Sequence, residues 1–216
     1  VRLAAIDIGS NAARLLITEV VAGNNGKPQF NKLNLVRVPL RLGFDVFSDA
    51  EISKEKRGMI MQTMKAYGHL INAYQVEHVK ACATSAMRDA RNSADIIRKV
   101  KLETGIEIEI ISGDKEATLI YENHIAEGMD KLHSYLYIDV GGGSTELTFF
   151  ADGKLRYKES FDIGTIRLLK GQVTDWMWNT MKDSIKANIK TSLPLVAIGS
   201  GGNINKVFSL SKKKEG

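Results

Sequence analysis

The chain of 216 residues carries 30 Lys and Arg against 25 Asp and Glu, a formal charge of +5; at about 150 residues per domain it holds one or two domains. With 44% hydrophobic and 25% charged residues its composition is that of a globular protein, which excludes disorder as the main state. No apolar run approaches the roughly 18 residues of a membrane span, so no membrane is expected as a partner, and basic residues spread without a dense aromatic-interleaved stripe argue against a nucleic-acid duplex.

In chain order, the opening Val1-Arg2-Leu3-Ala4-Ala5-Ile6-Asp7 reaches an acidic residue without the order of a secretory leader. The lone Cys82, expected to be buried as a small apolar residue, fits a reducing compartment; a cytoplasmic location is expected. Apolar periodicity predicts strands near 2–8, 12–21, 32–40, 77–83 and 106–111, and helices near 53–73, 89–103 and 114–126. The first helix places Met59, Ile60, Met64, Tyr67 and Ile71 on one face, with Ser53 as a partial cap. Asn92 or Ser93 is expected to cap the second, whose apolar face is Ile96, Ile97 and Val100.

The second half starts the same order again. Strands are predicted near 134–139, 145–151, 154–161 and 195–198, and helices near 174–191, with Trp178, Met181, Ile185 and Ile189 on one face, and 202–210. Counterparts of the first half's last strand and helix do not follow. The expectation is two lobes, 1–125 and 126–216, the second incomplete, with residues missing from it favoured over a natural abbreviation.

Two segments share one pattern: Asp7-Ile8-Gly9-Ser10-Asn11 and Asp139-Val140-Gly141-Gly142-Gly143-Ser144. A third strand ends in Gly199-Ser200-Gly201-Gly202. Glycine turns let backbone N–H groups converge on an anion at close range, while Asp7, Asp139 and Glu146 supply hard oxygen ligands suited to Mg²⁺. No Walker-type Gly-x-x-x-x-Gly-Lys-Ser/Thr, dinucleotide Gly-x-Gly-x-x-Gly or Gly-x-Ser-x-Gly elbow occurs. Chemistry on phosphate is the class these residues support, and the modest positive charge is compatible with a polyanionic substrate.

Together with Ala83-Thr84-Ser85-Ala86-Met87-Arg88, Ile111-Ser112-Gly113-Asp114-Lys115-Glu116-Ala117 and Ile163-Gly164-Thr165-Ile166-Arg167-Leu168, these segments resemble the exopolyphosphatase and guanosine pentaphosphate phosphohydrolase (Ppx/GppA) family of the actin and sugar-kinase superfamily. The resemblance implies a two-lobed actin-like (ribonuclease H-like) α/β fold with an interlobe cleft. It implies Mg²⁺-dependent hydrolysis that releases terminal phosphate from inorganic polyphosphate or guanosine pentaphosphate. Carried over by position, Glu116 activates water and Arg88 contacts phosphate, with Arg14 a second candidate for that contact. Asp139, Glu146 and Asp7 hold Mg²⁺, while Gly9, Ser10, Asn11, Gly141, Gly142, Gly143, Ser144, Gly199, Ser200, Gly201 and Gly202 cradle phosphate. Thr118 departs from the family's arginine two positions after the glutamate. The alternative is a non-catalytic sensor of guanosine penta- or tetraphosphate; a homodimer is compatible with either reading.

Overall fold

Alternating apolar residues build β1 (Arg2–Ile8), in which Ala4, Ile6 and Ile8 are buried on one face and Asp7 lies on the other. The computed structural model describes residues 1–23, 27–113, 115–116, 130, 132–200 and 202–211. The chain divides into unit 1, Val1–Ile111, and unit 2, Ser112–Gly216. Of the helix expected over 114–126, only residues 115 and 116 are described.

In unit 1, β1 is joined by β2 (Ala13–Ala22), β3 (Pro28–Val38), β4 (His78–Ala83) and β5 (Ile108–Ile110) in the order β3-β2-β1-β4-β5. The first three strands are antiparallel, and β4 and β5 run parallel to β1. Helix α1 (Gly43–Asp49) precedes α2 (Lys54–Ala73), and α3 (Ser85–Asp89) precedes α4 (Ser93–Thr104). The apolar face of α2 is Ile60, Met61, Met64 and Tyr67; Met59, expected on that face, is exposed because the stripe is rotated toward Met61 and Thr63. The Tyr67 hydroxyl donates to the Ala13 carbonyl at 3.0 Å, joining α2 to β2.

Ser53 caps α2 as expected, accepting from the Lys56 amide. Asn92 occupies the cap position of α4, yet its side chain makes no cap bond. It accepts from the Ile52 amide at 3.1 Å and donates to the Ile52 carbonyl at 2.9 Å, fastening the start of α4 to the residues before α2. Cys82 is half-buried rather than buried, since it shares the face of β4 that continues the row of Asp7.

In unit 2, β6 (Ser134–Val140), β7 (Thr145–Ala151), β8 (Lys154–Phe161) and β9 (Leu195–Ser200) form a sheet ordered β8-β7-β6-β9. This repeats β3-β2-β1-β4 strand for strand, with the parallel pair again between the first strand and the last. Among the described residues no strand follows β9 as β5 follows β4. Helices α5 (Thr165–Leu169), α6 (Asp175–Asn188) and α7 (Gly202–Leu210) complete the unit. Its core is Leu136, Leu147, Phe149, Phe161 and Ile163, covered by Met177, Met181, Ile185 and Ile189. Trp178 belongs to the edge of this packing and lines an apolar cavity of about 580 Å³ with Leu168 and Ile138. No helix among the described residues is long and apolar enough to cross a membrane.

Candidate active site

The two Asp–Gly segments fold into the same turn. The Gly9 amide donates to the Ala12 carbonyl at 3.0 Å, and the Gly141 amide to the Ser144 carbonyl at 2.9 Å. Each turn joins the first two strands of its sheet.

In unit 1, the carbonyls of Ser10 and Asn11 accept from the amides of Gly43 and Arg41 at 2.9 and 2.8 Å, so the entry to α1 is bonded to the loop. The Ser10 hydroxyl is buried and bonded to that of Ser85 at 2.8 Å. Asp7 pairs with Arg14 at 2.7 Å. Arg14 stands opposite Arg37, and Asp7 beside Cys82, so one register row reads Arg37, Arg14, Asp7, Cys82. Arg88 leaves the last turn of α3 and donates to the Ile111 carbonyl at 3.3 Å, with Asp89 3.8 Å away.

The equivalent row of unit 2 reads Ser160, Glu146, Asp139, Ser200. Here the two central residues are both carboxylates. Glu146 is 3% exposed and accepts from the Ser160 hydroxyl at 3.0 Å. Glu116 is half-buried in a helical turn that begins at residue 113, where the Ser112 hydroxyl accepts from the Lys115 amide at 3.2 Å and the Ser112 carbonyl from the Glu116 amide at 3.0 Å. Gly113 fits that turn against Ser160: a Cβ on it would lie 2.5 Å from the Ser160 Cβ and Oγ. Ser160 therefore touches both the turn that carries Glu116 and the Glu146 carboxylate. Sequence reasoning passed over it, since a serine in a strand gives no signal until the register is known.

The loop at residues 141–144 is held from one side. Its Gly141, Gly142 and Gly143 carbonyls accept from the Thr165 amide at 3.1 Å, the Ile166 amide at 2.9 Å and the Arg167 Nε at 2.8 Å. Among the described residues, the amides of Gly142, Gly143 and Ser144 donate to no backbone carbonyl. Gly164 lies so near that a Cβ on it would be 2.4 Å from the Gly142 carbonyl oxygen. At the third glycine segment, Ser200 borders Asp139, Gly199 packs on Ile204, and the Asn203 side chain donates to the Val140 carbonyl at 2.8 Å; Gly201 lies outside the described residues, as does Thr118.

The candidate residues thus form two groups: Asp7, Arg14, Arg88 and residues 9–11 in unit 1, and Glu116, Asp139, Glu146, Gly199, Ser200, Gly202 and residues 141–144 in unit 2. Among the described residues no three His, Cys, Asp or Glu converge as a metal cage. The all-oxygen pair Asp139 and Glu146 nevertheless suits Mg²⁺, which takes one or two carboxylates and fills its remaining positions with water and substrate phosphate.

A family model for Ppx/GppA phosphatases matches residues 16–207. A bifunctional 3-dehydroquinate synthase/phosphatase of Fusobacterium nucleatum is 33% identical, the match covering 98% of this chain and 34% of that protein. Exopolyphosphatase 1 of Mycobacterium tuberculosis is 28% identical over 81% of this chain and 49% of its own length. The chain thus spans between a third and a half of these curated relatives. Among solved structures, a Ppx/GppA family member from Aquifex aeolicus superposes with a TM-score of 0.75 at 28% identity, covering 97% of this chain and 69% of that one. An exopolyphosphatase from Cytophaga hutchinsonii gives 0.77 at 27%, covering 99% and 73%. These likenesses bear out the expected α/β architecture of actin-like type.

Proposed function

Since the chain belongs to the Ppx/GppA phosphatase family, we propose that it carries the hydrolytic core of an enzyme that releases terminal phosphate from inorganic polyphosphate or guanosine pentaphosphate. The observation that carries this reading is the row in which Asp139 and Glu146 face each other beside a loop whose Gly142, Gly143 and Ser144 amides donate to no backbone carbonyl among the described residues. Carboxylate oxygens next to outward donors are what a metal-bound phosphate needs on its two sides.

In this reading the amides of Gly142, Gly143 and Ser144 bind oxygens of the terminal phosphate and orient it. Asp139 and Glu146 hold Mg²⁺, which when bound offsets charge on the phosphate oxygens. Glu116 holds the attacking water and accepts its proton as the water oxygen bonds to phosphorus and the anhydride P–O bond breaks. The products are inorganic phosphate and a chain or nucleotide shortened by one phosphate. In unit 1, taken by itself, residues 9–11, Arg14 and Arg88 are the candidate phosphate contacts. A guanidinium suits that task through its planar fork of donors. The cytoplasmic location expected from the lone cysteine goes with such a substrate.

The test is phosphate release from polyphosphates of several lengths and from guanosine pentaphosphate, with and without Mg²⁺. Mg²⁺-dependent release that is lost in Glu116→Gln is the expected result. Tight binding of guanosine pentaphosphate with no release in saturating Mg²⁺ would overturn it in favour of a sensor.

A further inference from the structure

We propose that Arg167 is a positioning residue that holds the loop at residues 141–144 in its anion-binding form; this rests on reading that loop as the phosphate site. A trans peptide is planar, and its C=O and N–H point in opposite directions. Fixing the carbonyls of Gly141, Gly142 and Gly143 therefore turns the amides of Gly142, Gly143 and Ser144 to the other side. Three successive glycines have little intrinsic preference for any one arrangement. The orientation has to be imposed from outside the loop.

The first two carbonyls are tied by backbone amides, the first also by the Thr165 hydroxyl at 3.3 Å. The Thr165 and Ile166 amides, which hold the first two carbonyls, are first-turn donors of α5 that no carbonyl of that helix can take. Any residue except proline supplies them. The tie to the third is a side chain: Arg167 Nε on the Gly143 carbonyl at 2.8 Å. The peptide it holds is the one whose N–H belongs to Ser144. Among the described residues, Arg167 is thus the side chain through which a substitution can release this amide while leaving the ties to Gly141 and Gly142 in place.

The guanidinium is suited to a latch. Its side chain is 16% exposed, and its Nη2 lies 3.8 Å from the Asp162 carboxylate, so the planar group is bounded at both ends. Arg167 donates to a loop carbonyl and so acts through the loop. An amide already facing the anion costs no reorganisation when the anion arrives.

The experiment compares wild type, Arg167→Met, which keeps an apolar stem, and Arg167→Lys by amide NMR, first without ligand and then with inorganic phosphate and tripolyphosphate. Without ligand, Arg167→Met is expected to shift and broaden the Gly143 and Ser144 signals, with those of Thr165 and Ile166 unmoved. With inorganic phosphate, the wild type moves all three loop amides; Arg167→Met loses the Ser144 response and binds about tenfold more weakly, the effect of one charge-assisted hydrogen bond. With tripolyphosphate as substrate, KM rises while kcat is nearly unchanged, the mark of binding common to ground and transition states. Arg167→Lys restores part of the Ser144 response, and carries the comparison alone if Arg167→Met does not fold. Wild-type Ser144 behaviour in both variants overturns the latch. If phosphate moves no loop amide even in the wild type, the phosphate-site reading fails, and the ligand-free Ser144 comparison still decides whether Arg167 holds the loop.

Discussion

Asp139 and Glu146 stand directly opposite each other on antiparallel strands, and the residues at the same two positions of the other sheet are Asp7 and Arg14. One scaffold position thus carries two electrostatic solutions. In unit 1 the aspartate is engaged by an arginine at 2.7 Å. In unit 2 an acid faces an acid across the strand pair, a pair of hard oxygen donors. A divalent cation is the natural complement. Asp139→Asn and Glu146→Gln are each expected to lower Mg²⁺-dependent phosphate release about a hundredfold or more, and to raise the Mg²⁺ concentration needed for half-maximal rate. Asp7→Asn, with Arg14 left in place, is expected to leave that Mg²⁺ requirement near the wild-type value. A Mg²⁺ titration of initial rates separates the two cases; equal effects at Asp7 and Asp139 would remove the distinction between the units.

Glu116 lies in the helical turn begun by Ser112, whose carbonyl accepts from the Glu116 amide at 3.0 Å. Glu116→Gln keeps the shape of the side chain and removes the basic oxygen. Turnover is expected to fall by about 10²–10⁴, the usual contribution of a general base, with an unchanged melting temperature and unchanged binding of tripolyphosphate. A matched loss of stability would mean that the residue supports the turn rather than the reaction.

The strands and the long helices were legible because alternation and helical spacing persist over enough residues to be counted. The glycine turns were legible from composition, and their likeness extends to the same Gly9 to Ala12 and Gly141 to Ser144 hydrogen bond. Helices α1, α3 and α5 were not foreseen, since five to seven residues make too few turns to show a period. With α5 went the roles of Gly164 and Arg167, whose meaning depends on a close approach to residues 141–144. Asn92 was recognised as a helix-start residue, but its side chain serves Ile52, a partner distant in sequence. The opposition of Asp139 and Glu146 required the strand register, which a one-residue slip would have reversed.

Two glycines give contrasting tests of the packing around this site. Gly164 has an ordinary extended φ of −134°, so a side chain there meets no backbone strain; the obstacle is the Gly142 carbonyl oxygen at 2.4 Å. The obstacle at Gly113 is a side chain, Ser160. Each Gly→Ala change is expected to cost about 1–3 kcal/mol by overpacking, read as a fall in the unfolding midpoint. Ser160→Gly is expected to recover stability in Gly113→Ala by removing both clashing atoms, and to recover none in Gly164→Ala. Recovery in both, or in neither, would show that these contacts do not set the cost.

A pH test follows from the cluster that joins α6 to β8. The Tyr157 hydroxyl donates to Glu159 at 2.5 Å and lies 2.8 Å from the Ser184 hydroxyl, which itself donates to Glu159. Burial, followed by the hydrogen bond to Glu159, pushes the Tyr157 phenol from 10.0 up to about 12. The folded state therefore keeps the phenol proton at a pH where the unfolded chain releases it. The stability this contributes is complete below pH 10 and declines as pH rises toward 12. Lysines titrate over the same range, so the informative quantity is the difference between wild type and Tyr157→Phe. Urea unfolding of both proteins is expected to give a stability difference that is constant below pH 10 and shifts in favour of Tyr157→Phe above it. A difference that stays constant through this range would mean that the phenol titrates alike in the folded and unfolded chains.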